Sequence, residues 1–178
     1  MQTIKKHNIT FKKMKNSDLK LLHEWFQIPH VLKWYARDEK YTPEMIEEKY
    51  RQRINDVSIP NFIIYDQDKP VGYIQYYHVT EHLSEGIIDY NHPIFNNFKP
   101  NELIGLDLFI ADENYLHIGF ASIALARFIN TYLKEKVKAV LVDPVKQNTS
   151  AISFFEKNGF RHTLSQDANH DLMLLKLE

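Results

Sequence analysis

The chain has 178 residues, 44% hydrophobic and 25% charged, with a net charge of −1. That length suits one domain, residues 1–178, with a full core, and nothing in the balanced charge suggests a surface for nucleic acid or anionic membranes. The absence of cysteine excludes disulfides, thiolate metal sites and a cysteine nucleophile, so any acyl transfer runs without an acyl-cysteine intermediate, and direct attack of the acceptor on the donor becomes the default mechanism. No apolar run reaches membrane-span length, and the basic start MQTIKKHNITFKKM lacks the apolar stretch of a signal peptide, so the expectation is a cytoplasmic protein.

In chain order, residues 9–14 read as a first strand. Ser17 is placed to cap a helix over 18–26, with Leu19, Leu22 and Phe26 on one face, and Pro29 breaks it. A short aromatic segment with Trp34 and Tyr35 follows. Thr42, Pro43 and Glu44 open a helix to about residue 55, with Ile46, Tyr50 and Ile54 four apart. Residues 62–65 and 71–79 read as a hairpin, and 80–100 as a loop. Leu103–Ile110, a helix over 119–136 and a strand over 137–142 form a β-α-β unit. Both strands are apolar almost throughout, as parallel strands covered on both faces should be. A helix over 149–158 ends at Gly159, and 172–177 is a last strand. The fold class is α/β, with a mixed sheet.

Two features carry chemistry. Gly119 and Ala121 sit where a loop turns into a helix, and the first amides of a helix lack internal partners and favour an anion. Small residues there admit a phosphate close to the backbone. The turn is neither a P-loop nor a G-x-G-x-x-G loop, and His117 is its only candidate cation. The second feature is Asp107, one carboxylate in an otherwise apolar strand, a costly placement unless the group is paired or solvated. It is either a satisfied structural aspartate or the seat of an acceptor ammonium. A metal site built from His82, Glu85, Asp89 and His92 is not expected, because their spacing is irregular and no helix or strand positions them.

The segments ITFKKMKNSDLKLLHEWF, HVLKWYARDEKYT, KPVGYIQYY, IGLDLFIADENYLHIGFASIAL and VKAVLVDPVKQNTSAISFFEKNGFR, in this order and spacing, resemble the GNAT superfamily of acyl-CoA-dependent N-acyltransferases. Within it they are most similar to the aminoglycoside 6′-N-acetyltransferases. The resemblance covers nearly the whole chain. It implies a GNAT-like fold with a splayed pair of central parallel strands, acetyl-CoA as co-substrate and no metal. The pantetheine arm would pair along Leu108, Phe109 and Ile110. The pyrophosphate would rest on the amides of Ile118, Gly119, Phe120, Ala121 and Ser122, with Asn148 near the arm.

Asp107 would hold the acceptor ammonium as the residue closest to catalysis. Positioning and charge pairing suit it better than proton abstraction, because a carboxylate is a poor base for an amine of pKa ~10. Asp143 matches a second acceptor carboxylate, although an Asp-Pro turn explains it equally well. Glu85 and Asp89 would extend an acidic acceptor site, or stand as solvated loop acids. Trp34, Tyr35 and Tyr50 match aromatic positions that line the acceptor pocket, with core packing the other reading of Tyr50.

Phe155 replaces the tyrosine thought to protonate the departing CoA thiolate. Leu108 and Ile118 replace a frequent glutamine and a frequent basic residue. A thiol of pKa ~8.5 leaves tolerably without an acid, so slower turnover is the expected consequence. The implied acceptor is a small cationic amine: an aminoglycoside, another amino sugar, a polyamine or a siderophore hydroxylamine. A non-catalytic acyl-CoA-binding module is the alternative. Neither nucleic acid nor membrane is an expected partner, and a monomer or homodimer is expected.

Overall fold

The computed structural model describes residues 6–178; the first five residues of the basic N-terminal segment lie outside the described residues. The strands are β1 Ile9–Lys13, β2 Asn61–Asp66, β3 Lys69–His78, β4 Leu103–Ile110, β5 Ala139–Val142, β6 Arg161–Thr163 and β7 Leu172–Lys176. They form one mixed sheet in the order β1-β2-β3-β4-β5-β7-β6. β4 and β5 are parallel; β1 pairs with β2, and β7 with β5 and β6, all antiparallel. The β4–β5 register runs Leu103↔Ala139, Ile104↔Val140, Gly105↔Leu141, while β4 continues to Ile110 and β5 ends at Val142. The central parallel pair therefore parts after Gly105.

The chain divides into two compact units. Among the described residues, the first holds 6–55, 60–74 and 108–127. Its helices are α1 Leu19–Phe26, α2 Pro29–Trp34, α3 Pro43–Asn55 and most of α4 Phe120–Phe128. Thr42 caps α3 as expected, its Oγ1 accepting the Met45 N–H at 3.2 Å. Ser17 does not cap α1; a 3-10 turn, Asn16–Asp18, leads in, and the Asp18 carboxylate accepts the Lys15 N–H at 2.8 Å. Pro29 ends one helix but starts another, since a first-turn residue needs no N–H partner. The aromatic segment is therefore helical. The core of this unit is aromatic: Tyr73 stacks on Phe109 at 5.6 Å, and Tyr50 meets Phe26 and Tyr73 edge-on at 5.8 and 5.9 Å. Such pairs contribute about 0.5–1.5 kcal/mol each beyond area burial.

The second unit holds residues 56–59, 75–107 and 128–178. Val79, Ile87, Ile94, Leu103, Leu141 and Leu172 anchor its core. The expected helix over 119–136 loosens after Phe128 into a π-helical turn, Ile129–Leu133. β6 was not foreseen, since three residues carry no readable alternation. The 80–100 loop is tied down by His92. Its Nε2 donates to the Leu164 carbonyl at 3.0 Å, and its Nδ1 accepts the Ile94 N–H at 3.1 Å, an assignment that follows from the ring's two partners. α5, Thr149–Lys157, is capped by Asn148, whose Oδ1 accepts the Ala151 N–H at 3.2 Å. No helix among the described residues is long and apolar enough to cross a membrane.

Candidate active site

In the second unit, alternation brings one set of side chains to one face of the sheet. Gly105 and Asp107 are two apart on β4, and Leu141 and Asp143 are two apart on and after β5, so each pair faces one way. Gly105 pairs with Leu141, which puts both carboxylates on the same face. Tyr77 of β3 lies on that face as well, because a Cβ added at Gly105 would sit 1.9 Å from the Tyr77 Cζ. Only glycine leaves room for the ring. Gln75, two residues before Tyr77, donates from Nε2 to the Asp107 Oδ2 at 2.8 Å. This amide meets the cost of a carboxylate in an apolar strand.

The neighbouring loops add to this face. The Tyr77 hydroxyl donates to the buried Ser84 Oγ at 2.7 Å. Burial, followed by the charges of Asp143 and Asp107, pushes the Tyr77 phenol well above its usual pKa, so it remains a neutral donor. The Glu85 N–H donates to the Asp143 Oδ2 at 2.7 Å, so Asp143 does more than turn the chain before Pro144. Beyond it, oxygens of Glu85 and Asp167 and a ring nitrogen of His170 lie within 4.8 Å of one another. Hydrogen bonds from the Asn169 N–H and from His170 hold the Asp167 carboxyl below its usual pKa. The carboxylates of Asp107, Asp143, Glu85 and Asp167 make this an acidic region suited to a cation with more than one positive group.

In the first unit, β4 leads through a 3-10 turn, Glu113–Tyr115, into α4. His117 and Gly119 both adopt positive φ, 60° and 81°, on either side of the exposed Ile118. A Cβ added at Gly119 would meet nothing within 4 Å, so open space lies above the first turn of α4. Phe120 is fully buried and anchors the turn from below. Its ring meets His7 and Tyr115 edge-on at 5.1 and 4.8 Å, and both of these residues donate to the Asp66 Oδ2, at 2.9 and 3.0 Å. Burial opposes the Asp66 charge, but these bonds and that from the Asn8 N–H hold its pKa below the usual range.

The structure distributes the other residues singled out in the sequence as follows. Trp34 is half-buried, with the Lys33 ammonium 4.5 Å from its ring. Tyr35 packs on Phe109 at 4.6 Å, and Tyr50 is 1% exposed, inside the aromatic core. Asp89 is exposed and caps its own turn, accepting the Asn91 N–H at 2.8 Å. Phe155 is buried against Phe154 and Phe160. Ala121 and Ser122 are half-buried in the first turn of α4. His82, Glu85, Asp89 and His92 do not gather: His82 meets Ser58 and His92 meets Leu164. Sequence reasoning missed Gln75, Tyr77, Ser84, Asp167 and His170. A glutamine in the apolar run VGYIQYY was the one available signal.

The mixed sheet thus has central parallel strands that part after Gly105, and the chain carries a glycine-led turn opening α4 and an acidic face beside Asp107. The acetyltransferase (GNAT) domain family matches residues 15–167, and the chain belongs to that family. It is thus an N-acetyltransferase with acetyl-CoA as co-substrate. The chain is 24% identical over 156 residues to aminoglycoside N(6′)-acetyltransferase type 1 of Klebsiella pneumoniae, a match covering 86% of this chain and 74% of the relative. The Serratia marcescens enzyme of the same name matches to the same extent. The fold is similar to that of aminoglycoside acetyltransferase AAC(6′)-Ib in complex with coenzyme A, with a TM-score of 0.75 and 22% identity over 95% of each chain. It is also similar to aminoglycoside N(6′)-acetyltransferase from Legionella pneumophila, with a TM-score of 0.70 and 21% identity over 97% and 94% of the two chains.

Proposed function

We propose that the chain works as a single domain that transfers acetyl from acetyl-CoA to a primary amine of a polycationic small molecule, with an aminoglycoside 6′-amine as the leading acceptor. The observation that carries this reading is the Gln75-held Asp107 on the same face as Asp143. Solved relatives of similar fold hold ribostamycin or kanamycin together with coenzyme A. The acceptor ammonium pairs with Asp107, and further amines meet Asp143, Glu85 and Asp167. The pyrophosphate rests on the amides of Ile118 to Ser122, and the pantetheine follows the β4 edge from Leu108 to Ile110. β4 carries Asp107 next to Leu108, so acceptor carboxylate and donor strand are adjacent residues.

The acceptor amine loses its proton to water and attacks the thioester carbonyl directly. The C–N bond forms, the C–S bond breaks, and the thiolate takes its proton from solvent, since Phe155 has none to give. The absence of cysteine removes an acyl-cysteine intermediate and supports direct transfer. The test is CoA-thiol release from acetyl-CoA against aminoglycosides with and without a 6′-amine, polyamines and amino sugars. Release confined to 6′-amino aminoglycosides supports the proposed acceptor. Release with polyamines alone overturns it, as does release that is indifferent to the 6′-amine.

A further inference from the structure

The edge of β4 that would receive the pantetheine is partly occupied already. Main-chain groups along a strand face alternate sides. The Phe109 carbonyl lies toward β3, 2.5 Å from where a Gly72 Cβ would be, and the Ala111 N–H donates to the Val71 carbonyl at 2.8 Å. Phe109 and Ala111 thus face β3, and Leu108 and Ile110 turn their main-chain groups to the opposite edge. On that edge the Ile110 carbonyl accepts a hydrogen bond from the His30 Nε2 at 2.7 Å. His30 is the second residue of α2, presented there by the proline that starts the helix. Its Nδ1 lies 3.9 Å from Glu113 Oε1 in the turn that follows β4. One imidazole therefore links α2 to the last carbonyl of β4.

We propose that His30 is a positioning residue for the acyl donor, an inference that rests on the acetyl-CoA reading above. By holding the Ile110 carbonyl it sets the direction of the strand end. Its ring also takes one lone pair of that oxygen and stands at the edge there, which favours a register in which an incoming pantetheine meets the Ile110 N–H and the groups of Leu108. A donor arm shifted by two residues would need the carbonyl that His30 already engages. His30 touches no reacting atom in this scheme; it acts through β4.

Calorimetric titration of two ligands separates this from a general structural role. One is acetyl-CoA. The other is adenosine 3′-phosphate 5′-diphosphate, which has the nucleotide and pyrophosphate of CoA without the pantetheine. His30→Ala is expected to weaken acetyl-CoA about five- to tenfold, the worth of one pantetheine–β4 hydrogen bond put out of line, and to leave the nucleotide unchanged. His30→Gln sets an amide N–H near the place of Nε2 and should restore most of the affinity. His30→Asn is too short to reach and should not, a comparison that survives if the alanine variant folds poorly. Unchanged acetyl-CoA affinity in His30→Ala and His30→Asn overturns the inference, and so does an equal loss for both ligands. Wild-type protein that binds the nucleotide but not acetyl-CoA would overturn the acetyl-CoA reading itself, and the inference with it.

Discussion

At the scale of single residues, the distinction that matters is between a carboxylate's charge and its shape. Gln75 holds Asp107 through one oxygen, and an asparagine at 107 can still accept that bond through its own carbonyl. Asp107→Asn therefore removes the charge and keeps the packing. Acetyl-CoA affinity measured by calorimetry should stay within about twofold, while kcat/KM for the amine falls roughly ten- to a hundredfold, the worth of a charge-assisted contact. Unchanged turnover would remove Asp107 from the acceptor site. Gly105 makes the complementary point about shape. A methyl there collides with the Tyr77 ring, so Gly105→Ala has to displace the ring and its bond to Ser84. The expected cost is about 1–3 kcal/mol in urea denaturation; an unmoved midpoint would show that the strands yield instead. That Asp107 needs a partner was legible, because a charge in an apolar strand demands one. The partner was not, because Gln75 looks like any polar residue in a strand.

Among the elements, the turn into α4 joins backbone geometry to ligand binding. Gly119 has open space around it but a φ of 81°, so conformation rather than room excludes a branched side chain. Gly119→Val should lower acetyl-CoA affinity roughly tenfold, from a left-handed penalty of about 1–2 kcal/mol that forces the first amides of α4 out of line. Gly119→Asn, which tolerates that conformation, should retain most of the binding. Equal affinities for the two variants would detach the turn from the pyrophosphate. β4 and α3 matched their expected spans because apolar runs and caps are local signals. The helix over 119–136 did not hold throughout, since its apolar pattern says nothing about the wider turn at Ile129–Leu133. Tyr50, for which pocket lining by resemblance and core packing both stood open, has its ring in the aromatic core, where Phe26 and Tyr73 meet it.

For the molecule as a whole, acid stability follows from carboxylates with lowered pKa. The Lys69 ammonium holds Asp112 below the usual range, and the bonds to His7, Asn8 and Tyr115 do so for Asp66. Each depressed group contributes stability that is fully present above its unfolded pKa of ~3.9 and is lost as pH falls through the lower folded value. Urea midpoints should therefore stay level on the acid side down to about pH 5 and fall below it. Asp66→Asn should lower the plateau and flatten that fall; a parallel curve would mean Asp66 does not drive it. Taken alone, the sequence determined the order of the strands other than β6 and of the helices other than α2, the glycine-led turn, the single carboxylate of β4 and the absence of a cysteine nucleophile, because periodicity, caps and composition are written within a few residues. Only the tertiary structure decided that Gln75, 32 residues away in the chain, holds Asp107, that Glu85 rests on Asp143, and that His30 caps Ile110. Those pairings depend on which strands and loops become neighbours, and side-chain chemistry that is generic in the sequence becomes specific once the sheet sets it face to face.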